Sequence, residues 1–133
     1  MIIADMHTHS SFSTDSTESM MKMAKAAIEK GLRTICLTEH LDYDYPGGEF
    51  QLDTAEYHDE LMRVKAELSD RVEVLFGVEL GLMDYLASRL NEFAEAWDLD
   101  FIIGSSHLVD GKDPYYPEYF EELLRKMRSA GPM

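Results

Sequence analysis

Imidazole and carboxylate side chains recur at the ends of apolar segments along this 133-residue chain. Four of its five histidines, His7, His9, His40 and His107, stand at such positions. Glu79 stands near the end of another apolar segment, where a buried carboxylate is costly unless a cation or several donors satisfy it. Neutral imidazoles and carboxylates are ligands that zinc and similar divalent metals accept. These residue types therefore favour a metal centre.

Two of these histidines, His7 and His9, are separated by a single residue. On a strand, both rings would leave the same face and could chelate one ion. The same spacing also fits a hydrogen-bonded pair near a loop, and the pattern alone leaves both interpretations open. Asp5 shares their face and is expected to orient one of the rings without binding the metal itself.

The other candidate ligands also have structural alternatives. Glu79 could form a salt bridge at the end of its strand, and His107 could be a hydrogen-bonded histidine at the rim. Asp15 lies in a Ser/Thr-rich loop before a helix, where it is either a helix cap or a metal ligand. We assign His40 to the metal, and we expect its neighbour Glu39 to contact a ligand rather than the metal.

The apolar segments before these residues are short and rich in Val, Ile, Leu and Phe, as strands buried on both faces are. They cover residues 2–6, 34–38, 72–80 and 101–106. Helix-period segments follow them, and this alternation predicts a parallel α/β sheet with helices outside it. The carboxyl ends of such strands carry the active site in these folds. Four distant segments would thus bring their ligands to one rim.

Four apolar stripes with helical spacing are predicted to face the core. Gly31 is expected to end the first helix, Asp53-Thr54 to cap the second, and Pro117 to occupy the first turn of the fourth. His58 lies in a polar stretch and is expected to be a solvated residue outside any site. The stripes are formed by Met20, Met23, Ala24, Ala27 and Ile28, by Tyr57, Leu61, Val64 and Leu68, by Leu86, Leu90, Phe93 and Trp97, and by Phe120, Leu123, Leu124 and Met127.

Composition narrows the class of protein further. The net charge is −14, from 26 acidic residues against 12 Lys and Arg, and no basic cluster is present, which argues against nucleic acid as a partner. The acidity serves either solubility or cation binding. No apolar run reaches the roughly 20 residues that a membrane span needs. The single cysteine, Cys36, cannot form an internal disulfide, which favours a reducing, cytoplasmic setting.

The motifs His7-Thr8-His9 and Thr38-Glu39-His40, with the segments around Glu79 and His107, occur in an order that resembles the polymerase and histidinol phosphatase (PHP) family. The resemblance covers residues 3–119. Asp15 in Ser13-Thr14-Asp15-Ser16, together with residues 105–111, is similar to the histidinol-phosphatase branch.

This resemblance implies a distorted, seven-stranded TIM-like βα barrel. Such a barrel usually needs about 250 residues, so residues 1–133 would form a single PHP domain that is C-terminally truncated after about four βα units. The family binds up to three divalent metals, commonly Zn, Mn or Fe. His7, His9 and Glu79 would hold the first, Glu79 and His107 the second, and Asp15 with His40 the third. The family's remaining ligands, a further His and an Asp-x-His, and its phosphate-gripping arginines do not occur in this stretch.

The reaction that the resemblance implies is hydrolysis of a small phosphate monoester, with L-histidinol phosphate preferred, as in histidine biosynthesis. No side chain is assigned as the nucleophile; hydroxide on the metals held by His7, His9, Glu79 and His107 is expected to attack, since such ions lower the pKa of bound water towards ~7. The alternatives are a PHP phosphoesterase acting on nucleotides or nucleic-acid ends, and a catalytically silent metal-binding module. The exposed edges of a half barrel also predict self-association.

Overall fold

A computed structural model describes residues 1–109 and 111–130 of the chain. Asp110, within the segment 105–111 noted above, and residues 131–133 lie outside the described residues. Within them, strands and helices alternate as predicted. The strands are β1 (Ala4–Thr8), β2 (Thr34–Leu41), β3 (Glu73–Gly81) and β4 (Phe101–Ser105). The helices are α1 (Met20–Glu29), α2 (Thr54–Leu68), α3 (Ala87–Ala96) and α4 (Pro117–Ser129).

The described strands form one parallel sheet in the order β1-β2-β3-β4. Each strand therefore pairs with the next along the chain, as in the opening half of a βα barrel. A doubly wound fold would instead reverse its strand order at a switch point. The prediction of four parallel βα units is confirmed.

The pairing of β2 with β3 is in register along its whole length, and it places His40 opposite Glu79. The pairing of β1 with β2 shifts register between Asp5 and Thr8. Threonine side chains bridge this irregular stretch, because the Thr8 hydroxyl donates to the Cys36 carbonyl at 2.7 Å and the Thr38 hydroxyl donates to the Thr8 carbonyl at 3.2 Å. The strand segment that carries His7 is thereby fixed to β2.

The main core lies between the sheet and helices α1 and α2. Its centre is Tyr57, a fully buried residue of α2. The Tyr57 hydroxyl lies 2.7 Å from the Gly77 carbonyl and 3.0 Å from the Leu37 carbonyl, so it joins α2 to two strands. The other fully enclosed members of this cluster are Met20, Ala24, Ala27, Ile35, Leu37, Leu61, Val64, Leu68, Val72, Val74 and Phe76.

The helix boundaries agree with the predicted capping signals. Gly31 adopts a positive φ of 79° just beyond α1, the conformation that ends helices at glycine. The Asp53 side chain accepts a hydrogen bond from the Glu56 amide at 3.1 Å and caps α2, and Pro117 stands in the first turn of α4. Trp97 lies beyond the end of α3 in extended conformation, outside the predicted helix, but it packs against the core as predicted.

The apolar stripe of α4 is not part of the core, so that prediction is wrong. Its four members, Phe120, Leu123, Leu124 and Met127, are between 42% and 63% exposed. The physical reason is that the described sheet ends at β4, whose Phe101 and Ile102 are themselves exposed. No described strand lies beyond β4 for this helical face to cover. Among the described helices, none is both long and apolar enough to cross a bilayer.

Candidate metal centre

The candidate ligands meet at the carboxyl-terminal edge of the sheet. His7, His40 and Glu79 lie near the carboxyl ends of β1, β2 and β3, while His9 and His107 follow β1 and β4 within two residues. Because parallel strands end at the same edge, segments that are a hundred residues apart in sequence come together. The expected convergence on one rim is what the structure has.

One group consists of His7, His9 and Glu79, with one ligand atom from each lying within 4.8 Å of the others. The His7 Nε2 atom contacts Glu79 Oε1, and His9 Nε2 lies 3.8 Å from the same oxygen. The two imidazole rings meet edge to face with centroids 5.1 Å apart. Both rings are thus presented to one carboxylate oxygen.

A second group consists of His40, Glu79 and His107. Here the other oxygen of the carboxylate is used, since His107 Nε2 lies 2.7 Å and His40 Nδ1 lies 3.0 Å from Glu79 Oε2. Glu79 therefore stands between the two groups and presents one oxygen to each. A carboxylate placed in this way could contribute to holding an ion in each group.

The unsatisfied atoms of the centre fit a divalent metal. The Nδ1 atoms of His9 and His40 are buried and lack a hydrogen-bond partner among the described residues; the approach of His40 Nδ1 to Glu79 is close but not aligned for a hydrogen bond. A buried polar atom without a partner costs about 1–3 kcal/mol, and a lone pair of this kind can be donated to a metal instead. Nitrogen and carboxylate donors in these groups match the preferences of zinc and similar ions.

The charges of the centre keep its carboxylate ionised. Burial alone would raise the pKa of Glu79, but His107 and His40 outweigh it and hold that pKa well below its usual range. Hydrogen bonding to Asp42 and Glu79 raises the pKa of His107 to about 10. Burial and the nearby His40 lower the pKa of His9. Glu79 is therefore in the state that a metal ligand needs, while His107 would have to release a proton to solvent before a ring nitrogen could bind an ion.

Asp15 approaches the centre from the loop after β1. Its Oδ2 atom lies 3.2 Å from His40 Nε2. The alternative of a helix cap is wrong, because the cap of α1 is Ser19, whose side chain accepts a hydrogen bond from the Lys22 amide at 3.2 Å. Asp15 and His40 thus form a pair, but this pair includes no third described ligand comparable to those of the other groups.

Glu39 faces away from the two groups and organises the loop after β1. It is fully buried and accepts hydrogen bonds from the Ser10 amide and hydroxyl, both at 2.6 Å, and from the Ser13 hydroxyl at 3.3 Å. Burial raises the pKa of Glu39, and the Ser10 hydrogen bonds partly offset this. Ser13 in turn accepts from the His40 amide at 3.0 Å. Glu39 is therefore linked to the backbone amide of His40 through the Ser13 hydroxyl, and not to the His40 ring.

The predicted roles of Asp5 and His58 need correction. Asp5 Oδ1 accepts from the backbone amide of His7 at 3.2 Å rather than from an imidazole, because its side chain bonds the main chain two residues further along β1. His58 is outside both metal groups as expected, but it is not simply solvated. Its ring packs against Phe76 and Trp97, with centroids 5.1 and 5.5 Å away, because the turn of α2 that carries it covers these aromatic residues.

One further carboxylate contacts the centre and was not predicted from the sequence. Asp42, one residue beyond β2, is buried and places its two oxygens 2.7 and 2.8 Å from His107 Nδ1. The available signal was weak, namely a carboxylate two residues after His40 at the end of a strand. Its partner His107 lies 65 residues away, and nothing local in the sequence connects the two.

A cavity of about 480 Å³ opens beside the centre. One part of its wall is formed by Asp15, His40, Asp42 and His107. The rest of the wall is aromatic with one further carboxylate, and it consists of Tyr45, Phe50, Asp113, Tyr115 and Tyr116. The Tyr45 hydroxyl donates to Asp113 Oδ2 at 2.7 Å, and this contact joins two segments of that wall.

The fold and the site together define a TIM-like α/β protein with a metal centre at the carboxyl ends of its strands. Residues 5–131 match the family model described as PHP domain. The chain therefore belongs to the PHP family, and the family resemblance seen in the sequence is confirmed.

Two curated relatives and one solved structure that are similar to this chain have names of the histidinol-phosphatase branch. A histidinol-phosphatase of Lactococcus lactis is 38% identical over 92% of this chain, and a probable histidinol-phosphatase of Clostridium acetobutylicum is 31% identical over 94%. The chain covers 48% and 47% of these two proteins, so it spans about half their length. The crystal structure of Lactococcus lactis histidinol phosphate phosphatase with zinc, L-histidinol and phosphate superposes with a TM-score of 0.80 at 37% identity, covering 83% of this chain and 42% of that one.

Proposed function

We propose that this chain carries a metal-binding half of a phosphatase centre that hydrolyses small phosphate monoesters, with L-histidinol phosphate as the preferred substrate. The observation that carries the proposal is Glu79, a buried carboxylate shared by two groups of histidines at the strand ends. The similarity to a histidinol phosphate phosphatase complexed with zinc, L-histidinol and phosphate supports the substrate and the metal. Up to three divalent ions, Zn, Mn or Fe, are part of the proposal.

The ligand assignment is also a proposal. His7, His9 and Glu79 would hold one ion, and Glu79 with His107 would hold a second. Asp15 lies against the Nε2 atom of His40, opposite the nitrogen that faces Glu79, so Asp15 and His40 are proposed to begin a third site. Bound divalent ions supply charge neutralisation for phosphate oxygens and a nucleophile at neutral pH. They also reverse the local potential of an acidic protein, which allows an anionic substrate to approach.

The cavity supports a substrate with a positively charged, aromatic end. A phosphate bound beside His40 and His107 would leave the rest of the molecule facing Tyr45, Asp113 and Tyr116. Aromatic faces attract cations, and a carboxylate pairs with an ammonium or imidazolium group. L-histidinol phosphate carries an ammonium group and an imidazole ring, whereas a nucleoside monophosphate carries no cationic group at neutral pH.

The test is phosphate release from L-histidinol phosphate by the zinc- or manganese-loaded protein, in parallel with nucleoside monophosphates. We expect preferred release from L-histidinol phosphate, loss of that release in Glu79→Ala and in His107→Ala, and retention in His58→Gln. The last variant is the matched control, since His58 lies outside both metal groups.

Either of two results would contradict the proposal. Preferred release from a nucleoside monophosphate would overturn the substrate assignment. A metal-loaded chain that releases phosphate from none of the substrates would overturn the activity and favour a catalytically silent metal-binding module.

We also propose that the chain associates with itself in a reducing, cytoplasmic setting. The edge of β4 and the apolar face of α4 are both exposed, with Phe101 and Ile102 on the strand and Phe120 and Leu124 on the helix. Exposed strand edges pair readily with other strands, and contiguous apolar surface drives association. The buried, free thiol of Cys36 is compatible with a reducing compartment.

A further inference from the structure

Asp42 is a buried carboxylate aimed at a single imidazole. It follows β2, its backbone amide donates to the Phe50 carbonyl at 2.9 Å, and its side chain is shielded from solvent. Both carboxylate oxygens lie within 2.8 Å of His107 Nδ1. Among the described residues, no other side chain forms a hydrogen bond or ion pair with this carboxylate.

The opposite nitrogen of the same ring faces the centre, because His107 Nε2 lies 2.7 Å from Glu79 Oε2. An imidazole whose Nδ1 donates to a carboxylate carries its proton there and keeps the Nε2 lone pair for a metal. The contact also restricts rotation of the ring. Asp42 therefore has the geometry of a residue that sets both the tautomer and the orientation of His107.

A glycine on β3 makes this placement of Asp42 feasible. A Cβ atom added at Gly81 would lie 1.6 Å from Asp42 Oδ1 and 2.7 Å from its Cγ, far inside van der Waals contact. Gly81 is not in the left-handed region of φ, so its backbone conformation does not call for glycine. The space is needed by the neighbouring carboxylate.

We propose that Asp42 is a positioning residue that fixes His107 for metal binding, and that Gly81 is required because any side chain there displaces the Asp42 carboxylate. The inference rests on the metal centre of the proposed function, but not on its substrate or its turnover. A purely structural ion pair would stabilise the fold without altering metal affinity, which separates the two roles.

The experiment measures zinc affinity by competition with a chromophoric chelator in the full chain. We expect Asp42→Ala to weaken zinc binding roughly 10- to 100-fold, the effect typical of losing a carboxylate behind a metal-bound histidine. Gly81→Ala is expected to produce a similar loss, because it removes the same contact by displacement. The double variant should bind zinc no more weakly than either single variant, since both substitutions remove one interaction.

The matched control is Gly104→Ala on the adjacent strand. The atoms nearest to its added Cβ belong to the flexible Leu82 side chain, at 2.9 Å and beyond, so zinc affinity should stay at the wild-type value. Asp42→Asn serves as a second variant of the same shape should Asp42→Ala fold poorly, as judged by circular dichroism. In the zinc-loaded wild type, ¹⁵N chemical shifts of His107 should show a protonated Nδ1 and a metal-bound Nε2.

Unchanged zinc affinity in a folded Asp42 variant, or additive losses in the double variant, would overturn the inference. So would a ¹⁵N spectrum with the metal on Nδ1. Tight zinc binding without phosphate release would overturn the proposed function and leave this inference standing.

Discussion

At the scale of single residues, the chemistry of this protein is concentrated in Glu79. Its carboxylate is almost fully buried, and one oxygen faces His7 and His9 while the other faces His40 and His107. Removing the histidines around a buried carboxylate destabilises the fold, because it leaves a buried charge without a partner. The consequence is that the two metal groups are not independent of each other.

Zinc counting tests this dependence. Glu79→Ala should remove zinc from both groups, whereas His7→Ala should remove zinc only from the first, because Glu79 is the member that the two groups share. The measurement is zinc content by elemental analysis after gel filtration, with His58→Gln as the control. Equal zinc losses in Glu79→Ala and His7→Ala would show that Glu79 does not bridge.

The thiol of Cys36 provides a second prediction at this scale. Burial, with a smaller contribution from Asp100, raises the pKa of this thiol to about 12, and only the thiolate reacts with disulfide reagents. Between pH 7 and pH 9 the folded protein should therefore react slowly with a chromogenic disulfide. Raising the pH within this range should not ionise most of the thiol, so the reaction should stay slow. In urea, one thiol per chain should react at once. Rapid reaction of the native protein would contradict the buried position.

At the scale of elements, α2 is attached to the sheet by a polar contact as well as by packing. The Tyr57 hydroxyl approaches carbonyls of β2 and β3, the two strands that carry His40 and Glu79. The helix thus supports the pair of strands at the middle of the centre. Losing the hydroxyl would leave buried carbonyls with less hydrogen bonding.

We expect Tyr57→Phe to lower the free energy of unfolding by about 1–2 kcal/mol, the cost of removing a buried hydrogen bond. Urea denaturation measures the change. Tyr85→Phe is the control, because the Tyr85 hydroxyl bonds Asp44 on the surface and its loss should cost less than about 0.5 kcal/mol. Equal effects of the two substitutions would contradict a supporting role for Tyr57.

The sequence predicts most of the elements because their signals are local. Strand and helix periods, Gly31, Asp53 and Pro117 each act within a few residues, and the parallel topology then brings the strand ends together. The contact between Asp42 and His107 could not be predicted, since it depends on the register of β3 with β4 and on the space at Gly81. The exposure of the apolar face of α4 also could not be predicted from the sequence, because an apolar stripe does not indicate whether a neighbouring element covers it.

At the scale of the whole molecule, the described half barrel leaves one edge of its sheet, that of β4, without a further strand. The strand β4 is paired on one edge only, and α4 presents apolar residues to solvent instead of covering a strand. An apolar surface of this kind is rarely left exposed in a stable monomer. Association through this side is therefore the behaviour to test.

Light scattering at micromolar concentration should reveal a dimer or larger species. Leu124→Glu on α4 should shift the protein towards monomer, because a charge on the apolar face opposes its burial. Met62→Glu, an exposed apolar residue on α2, serves as the control and should leave the association unchanged. A compact wild-type monomer would contradict the proposed self-association.

The register of β2 with β3, which sets His40 opposite Glu79, has a consequence for misfolded chains. Successive side chains on a strand point to opposite faces, so a slip by one residue would turn one of the two away from the other. In a chain with that error, the Glu79 carboxylate and the His40 ring would no longer lie on the same face of the sheet, and the shared ion sites could not form. Only molecules with the correct strand register would then bind metal. The metal content of a preparation would therefore report the fraction of correctly paired molecules.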